Sequence, residues 1–240
     1  MNVVGYTAAA LRYVSEFARF RKLSAGRPQL MVRWADRIPC LKERTKESGF
    51  DRHYIYHTAW AGRALAALRP AEHVDISSSL YFCSIVSSFV PVRYYEFRPP
   101  QLTLDNLTVE SADLSRLSFE SGSIASLSCM HVVEHPGLGR YGDPLDPEAD
   151  LVAMKELGRV LAPQGSLLFV VPVGAPRVRF NAHRIYSYDH IRSCFARLRL
   201  RQYAFIPDSF ADGNIVYDPP QPSAGTGGDG CGCFWFTKDK

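Results

Sequence analysis

The chain has 240 residues, 46% of them hydrophobic and 22% charged, with a formal net charge of +4. That length suits one well-buried α/β domain with an appendage, and the composition excludes a disordered or fibrous chain. No apolar run approaches the roughly 18 residues of a membrane-spanning helix. The start, MNVVGYTAAALRYVSEF, lacks a charged leader ahead of an apolar core, so a cytoplasmic protein without a membrane span is expected.

Residues 7–22, TAAALRYVSEFARFRK, place Leu11, Val14, Phe17 and Ala18 at helical spacing and predict an amphipathic helix. A second helix is expected over HYIYHTAWAGRALAAL, closed by Pro70, so residues 1–70 read as a helical N-terminal extension. Basic residues crowd its first part (Arg12, Arg19, Arg21, Lys22, Arg27, Arg33, Arg37). Ordinary helical appendages are often basic too, so a nucleic-acid partner is disfavoured.

From residue 73 short apolar runs alternate with helical stretches, the pattern of a parallel α/β sheet over residues 71–240. HVDIS reads as the first strand, SLYFCSIVSSF as the helix after it and VRYYEF as the second strand. NLTVESADL and SIASLSCMHVV give the third and fourth strands. PEADLVAMKELGRVL predicts a helix with Pro147 in its first turn, and GSLLFVVPV a strand buried on both faces. SYDHIRSCFARL reads as another helix, and LRQYAFIP and CGCFWF as two late strands finishing one side of the sheet in antiparallel fashion. Between those strands, 218–230 is a Gly-, Pro- and Ser-rich loop. Cys40, Cys83, Cys129, Cys194, Cys231 and Cys233 are scattered, mostly in apolar runs, and read as free buried thiols.

His131, Glu134 and His135 stand in the spacing H-x-x-E-H, which on a helix places two imidazoles one turn apart beside a carboxylate, as a zinc hydrolase requires. Pro136 and Gly137 follow at once and the preceding run reads as a strand, so no metal is assigned. A third ligand would have to come from Asp143, Asp146, Asp150 or His183. Those aspartates fit better as shapers of a long loop.

The run ELGRVLAPQGSLLFVVP (156–172) resembles the late helix, turn and strand of class I S-adenosylmethionine-dependent methyltransferases. LSFESGSIASLSCMHVVEH is similar to that superfamily's passage into its fourth strand. More narrowly, HVVEHPGLGRYGDPLDPEAD, FNAHRIYSYDHI and CGCFWF resemble a bacterial family of methyltransferase-like proteins classed as a domain of unknown function. The resemblance implies a Rossmann-like fold with a mostly parallel seven-stranded sheet and an antiparallel last strand.

It also implies S-adenosylmethionine as cofactor, bound at the carboxyl ends of the strands near the switch in strand order. Asp75, Ser77 and Ser79 fall at the turn after the first strand, where the superfamily uses an acidic residue and glycines; DISSS has no glycine. Glu96 corresponds to the carboxylate that accepts both ribose hydroxyls, and Asp113 with Leu114 to the adenine contact. Met130 closes the fourth strand beside the cofactor. His131, Glu134 and His135 are then candidates to deprotonate or position an acceptor, with Arg140, Tyr141, Asn181, His183 and Arg184 on the substrate rim. The expected activity is methyl transfer to an oxygen or nitrogen of a small-molecule or glycan-like acceptor. A cofactor-free binding or scaffold module is the alternative that the missing glycines leave open, a zinc hydrolase is the lesser one, and the oligomeric state is not indicated.

Overall fold

A computed structural model of the chain describes residues 3–220 and 228–240. Part of the low-complexity loop, 221–227, therefore lies outside the described residues. The chain forms two compact units, Met1–Phe50 and Asp51–Lys240. In the first, α1 (Val3–Leu23) sends Phe17 edge-on against Trp34 at 5.0 Å, and Glu16 pairs with Arg44 at 2.9 Å. Among the described residues no helix is long and apolar enough to cross a membrane.

The boundary between units falls twenty residues before the one drawn from sequence, because α2 (Arg52–Leu68) packs on the sheet of the second unit. Asp51 caps it by accepting the Tyr54 N–H at 3.1 Å, and Arg69, left-handed at φ 47°, ends it just before Pro70. His57, Trp60, Ala61, Ala64 and Leu65 recur at helical spacing and are all buried. Burying a side chain such as Leu65 contributes about 1.5–3 kcal/mol.

The large sheet runs β3-β2-β1-β4-β5-β10-β8-β9. Its strands are β1 (His73–Ile76), β2 (Val92–Glu96), β3 (Leu107–Ser111), β4 (Ile124–Met130), β5 (Leu161–Val173), β8 (Arg199–Pro207), β9 (Val216–Tyr217) and β10 (Gly230–Thr237). Neighbours among β1 to β5 pair in parallel; β10 is antiparallel to both β5 and β8. Seven strands thus follow the expected pattern, with two differences. The antiparallel strand lies inside the sheet, where β5 pairs one of its edges and β8 the other, and every residue of GCGCFWFT is buried. The outer edge is β9, exposed at both residues and too short to show in the sequence pattern. A separate hairpin, β6 (Arg177–Arg179) with β7 (His183–Ile185), was likewise not expected.

The remaining helices are α3 (Leu80–Val86), α4 (Ala149–Val160) and α5 (Tyr188–Cys194). The first is shorter than SLYFCSIVSSF suggests: Ser87 and Ser88 hydroxyls bond back to the Ser84 and Ile85 carbonyls at 2.8 and 2.7 Å and draw the chain out of the helix. Strand alternation feeds two cores. Leu167, Phe169 and Val171 of β5 join the cluster that includes Met154, Leu157 and Ile191 of α4 and α5, while Leu168 and Val170 join the one that includes Trp60 and Phe82 of α2 and α3.

Strands β1 and β4 are tied by a buried polar chain. The Ser126 and Ser128 hydroxyls lie 2.8 Å from His73 Nδ1 and Nε2, and Ser128 donates onward to Asp75. Burial lowers the His73 pKa to about 3, so the ring is neutral. Burial also raises Asp75 to about 6, against the opposing hydrogen bonds from Ser128 and Ser78.

Candidate functional site

Strand order reverses between β1 and β4, and a cleft of about 440 Å³ opens at the carboxyl ends of the parallel strands. Both of these neighbouring strands end in a non-glycine residue with positive φ, Ser77 at 56° after β1 and His131 at 59° after β4. The left-handed conformation costs an L-residue about 1–2 kcal/mol. At this point the chain must leave the sheet abruptly, and both residues line the cleft. DISSS therefore adopts at Ser77 the backbone conformation that glycine adopts most readily.

His131 is the centre of the site. Its N–H bonds the Val170 carbonyl at 2.8 Å, its Nδ1 lies 3.0 Å from Glu134 Oε1, and its Nε2 lies 3.3 Å from Cys231 Sγ. Three rings of the first turns of α2 surround it: Tyr54 and His53 stack at 5.5 and 5.9 Å, and His57 meets it edge-on at 5.0 Å. Burial opposes charge on His131, yet the Cys231 sulfur and the Glu134 carboxylate raise its pKa well above the ordinary imidazole value. Burial and the adjacent His131 lower the pKa values of His53 and His57. His57 Nδ1 lies 2.7 Å from the His53 carbonyl and donates to it, while among the described residues its buried Nε2 has no partner. Asp208, at the end of β8, holds His53 Nε2 at 3.0 Å.

His135 is differently placed. Its Nδ1 lies 2.7 Å from the Ala182 carbonyl and donates to it, so in the neutral ring Nε2, 3.9 Å from Glu134 Oε1, is the acceptor. Residues 131–135 form turns, with no helix after β4, so the H-x-x-E-H pair does not come together in the zinc hydrolase arrangement. Beyond them, Gly137 at φ 78° passes so close to Asp146 that a Cβ would lie 1.9 Å from its carbonyl oxygen. Asp143 accepts the N–H groups of Gly137, Gly139 and Tyr141 at 2.7, 3.3 and 3.1 Å; these donors hold its carboxyl below the ordinary range against a desolvation cost. Asp143 shapes the loop, as the sequence suggests. Tyr141, on its crest, carries the Arg98 and Arg140 guanidinium groups at 5.3 and 5.1 Å.

Of the residues singled out from sequence, Ser77, His131, Glu134, His135, Arg140, Tyr141 and His183 line the cleft together. The others lie elsewhere. Asp75 is fully buried beneath the turn, Met130 is buried with its N–H on the Ser78 hydroxyl at 3.0 Å, and Ser79 stands at the start of α3 without a side-chain cap. Glu96 sits at the end of β2 with long side-chain contacts of 3.4 Å to the Tyr94 hydroxyl and the Arg98 N–H. Asp113 is exposed and turned back on the Ser115 N–H and hydroxyl at 2.8 and 2.7 Å, and Leu114 packs half-buried on the core. Asn181 is exposed at the tip of the β6–β7 hairpin. Arg184 is buried, donating to the Pro136, Asp146 and Pro147 carbonyls at 2.6, 3.2 and 3.2 Å, with Asp150 at 3.5 Å; it supports the loop from beneath.

Sequence reasoning missed His53, Tyr54, Asp208 and Cys231. The signal for the first two was DRHYIYH, a capped helix start with histidines at i and i+4.

Comparison with solved structures identifies the architecture. A candidate sarcosine dimethylglycine methyltransferase from Galdieria sulphuraria matches with a TM-score of 0.54 at 15% identity, over 77% of this chain and 86% of that one. The 1,6-didemethyltoxoflavin-N1-methyltransferase of Burkholderia thailandensis, solved with 1,6-didemethyltoxoflavin and S-adenosylhomocysteine, matches at 0.53 and 13% identity, over 100% and 92% of the two chains. The chain has the class I methyltransferase fold.

Within this methyltransferase fold the polar cluster occupies the ends of β4, β5 and β10. The YcgJ protein of Bacillus subtilis is also similar, with a TM-score of 0.52 at 15% identity over 78% of this chain and 99% of that one. A family model described as "Caenorhabditis protein of unknown function, DUF268" matches residues 112–200, from the end of β3 to the start of β8. No curated protein matches the chain by sequence.

Proposed function

We propose that the protein is an S-adenosylmethionine-dependent methyltransferase acting on an oxygen or nitrogen of a small-molecule or glycan-like acceptor. The observation that carries this reading is the left-handed Ser77 at the mouth of the cleft. It provides the sharp turn after β1 without glycine, so the residues present fit the amino acid end of the cofactor. Glu96 adds a carboxylate for the ribose: Arg93 is directed to Glu72 at 3.6 Å and Glu110 at 4.0 Å, away from Glu96. The bound cofactor supplies a methyl group already activated by a sulfonium, and positioning the acceptor provides most of the remaining help.

His135 is the better base in this arrangement, because both nitrogens of His131 already face partners and His135 Nε2 keeps a lone pair beside Glu134. Arg140, Tyr141 and His183 form the rim that an acceptor rich in hydroxyl groups would meet. A binding module without catalysis is the second reading, favoured by Asp113, whose carboxylate is engaged in its own turn. Calorimetric titration with S-adenosylhomocysteine separates the two. One saturable site per chain is expected, and no heat at high protein concentration sinks the methyltransferase reading.

A further inference from the structure

We infer that His53, His131 and Cys231 form a zinc(II) site in the wall of the cleft. Ligand atoms of these three side chains lie within 4.8 Å of one another, brought from the start of α2, the end of β4 and the first half of β10. Two ligand atoms on a tetrahedral zinc stand about 3.3–3.5 Å apart, given Zn–N near 2.0 and Zn–S near 2.3 Å. For a nitrogen and a sulfur the value is about 3.5 Å, and the His131 Nε2 to Cys231 Sγ separation of 3.3 Å is close to it.

Two further observations point to a cation here. Glu134 is 1% exposed, and while Oε1 faces His131, Oε2 has no partner among the described residues. A buried carboxylate oxygen without a partner is costly, and a divalent ion beside His131 places positive charge next to it. His57, with no exposed surface, leaves its Nε2 without a partner in the same ring cluster. The carboxylates themselves are arranged as metal sites arrange them: Glu134 orients His131 at 3.0 Å, and Asp208 contacts His53 at 3.0 Å.

Two imidazoles and one thiolate select a borderline-soft ion over magnesium or calcium. Three protein ligands leave a fourth position open, as in zinc sites that bind a reactant. His53 and His131 both line the cleft, so that position is available to an oxygen or nitrogen donor of an entering molecule. The identity of that donor as the methyl acceptor rests on the function proposed above, whereas the ligand set stands without it.

The test uses the full chain, stripped with chelator, dialysed against zinc(II) and analysed for bound metal. About one zinc per chain is expected. Cobalt(II) in place of zinc should give a near-ultraviolet thiolate-to-metal absorption that is lost in Cys231→Ser. Zinc affinity should fall at least about tenfold in His53→Ala and Cys231→Ser, and about 10–100-fold in Glu134→Gln. Cys40→Ser, which removes the exposed cysteine, should bind as the parent does. Circular dichroism of the metal-free variants shows whether each is folded; if Cys231→Ser is not, Glu134→Gln carries the comparison.

Absence of stoichiometric zinc, or affinity unchanged in folded Cys231→Ser and in Glu134→Gln, overturns the site. A parallel titration with S-adenosylhomocysteine keeps the two ideas apart. Zinc bound without cofactor heat supports the site and removes the methyl-transfer reading, and cofactor heat without zinc does the reverse.

Discussion

On the β2–β3 side of the switch point the polar groups bond within their own strand or turn: Glu96 has contacts at 3.4 Å, and the exposed Asp113 accepts from Ser115 at 2.8 and 2.7 Å. On the β4–β5–β10 side, His131, Glu134 and Cys231 are packed together, with contacts of 3.0 and 3.3 Å under three aromatic rings. On the first side Glu96 has lone pairs to give to a ligand, and the second side has satisfied most of its own in advance. Cofactor binding should therefore depend on Glu96, and folding stability on the dense side.

Arg184→Ala tests this most severely. It removes the donor to three loop carbonyls and leaves Asp150 buried beside no guanidinium, so a loss of about 3–5 kcal/mol is expected in urea denaturation. A loss below about 1 kcal/mol would mean that the loop after β4 is not supported as described.

The buried chain joining the two sides gives a pH test. Asp75 has its pKa raised to about 6, so its contribution is present below the unfolded value near 4 and is lost as pH rises through about 6. His73, lowered to about 3, contributes in the opposite sense: its stabilisation is present above pH 6.5 and is lost as pH falls toward 3. The two offset each other between pH 4 and 6 in the parent chain. Asp75→Asn should expose the His73 slope, so that stability relative to the parent rises by about 3 kcal/mol across that interval. Parallel profiles for the two proteins would contradict it.

On the β2–β3 side, Glu96→Ala should weaken S-adenosylhomocysteine about 10–100-fold, or about 1.4–2.7 kcal/mol, while leaving the urea midpoint nearly unchanged. Equal affinity would remove Glu96 from the cofactor site. The smallest effect is expected from Ser77→Gly, which relieves the left-handed strain and should change stability by no more than about 1 kcal/mol, in the favourable direction. A loss larger than that would show that the Ser77 hydroxyl, 3.1 Å from the Tyr95 carbonyl, matters more than its backbone.

Much of the fold is legible because its strands are written as local apolar runs: SLLFVVPV and CGCFWF can only be buried strands. Helix ends are less legible, since serines such as Ser87 and Ser88 bond locally and stop α3 early. The part of the site following β4 could also be read, as one stretch at one strand end. Its other half could not. Cys231 meets His131 across 100 residues, and His53 lies on a helix whose basic, helical neighbours made it look like an appendage. Contacts at that separation are set by strand order, and no periodicity carries strand order.

Strand β10 lies between β5 and β8 yet follows both in the chain. As the protein is synthesised, β5 and β8 each emerge with an unpaired edge facing the gap that β10 later fills. Two sticky edges are therefore displayed on the ribosome until the last strand arrives, so any pause in translation before Gly230 prolongs the exposure of an aggregation-prone nascent sheet.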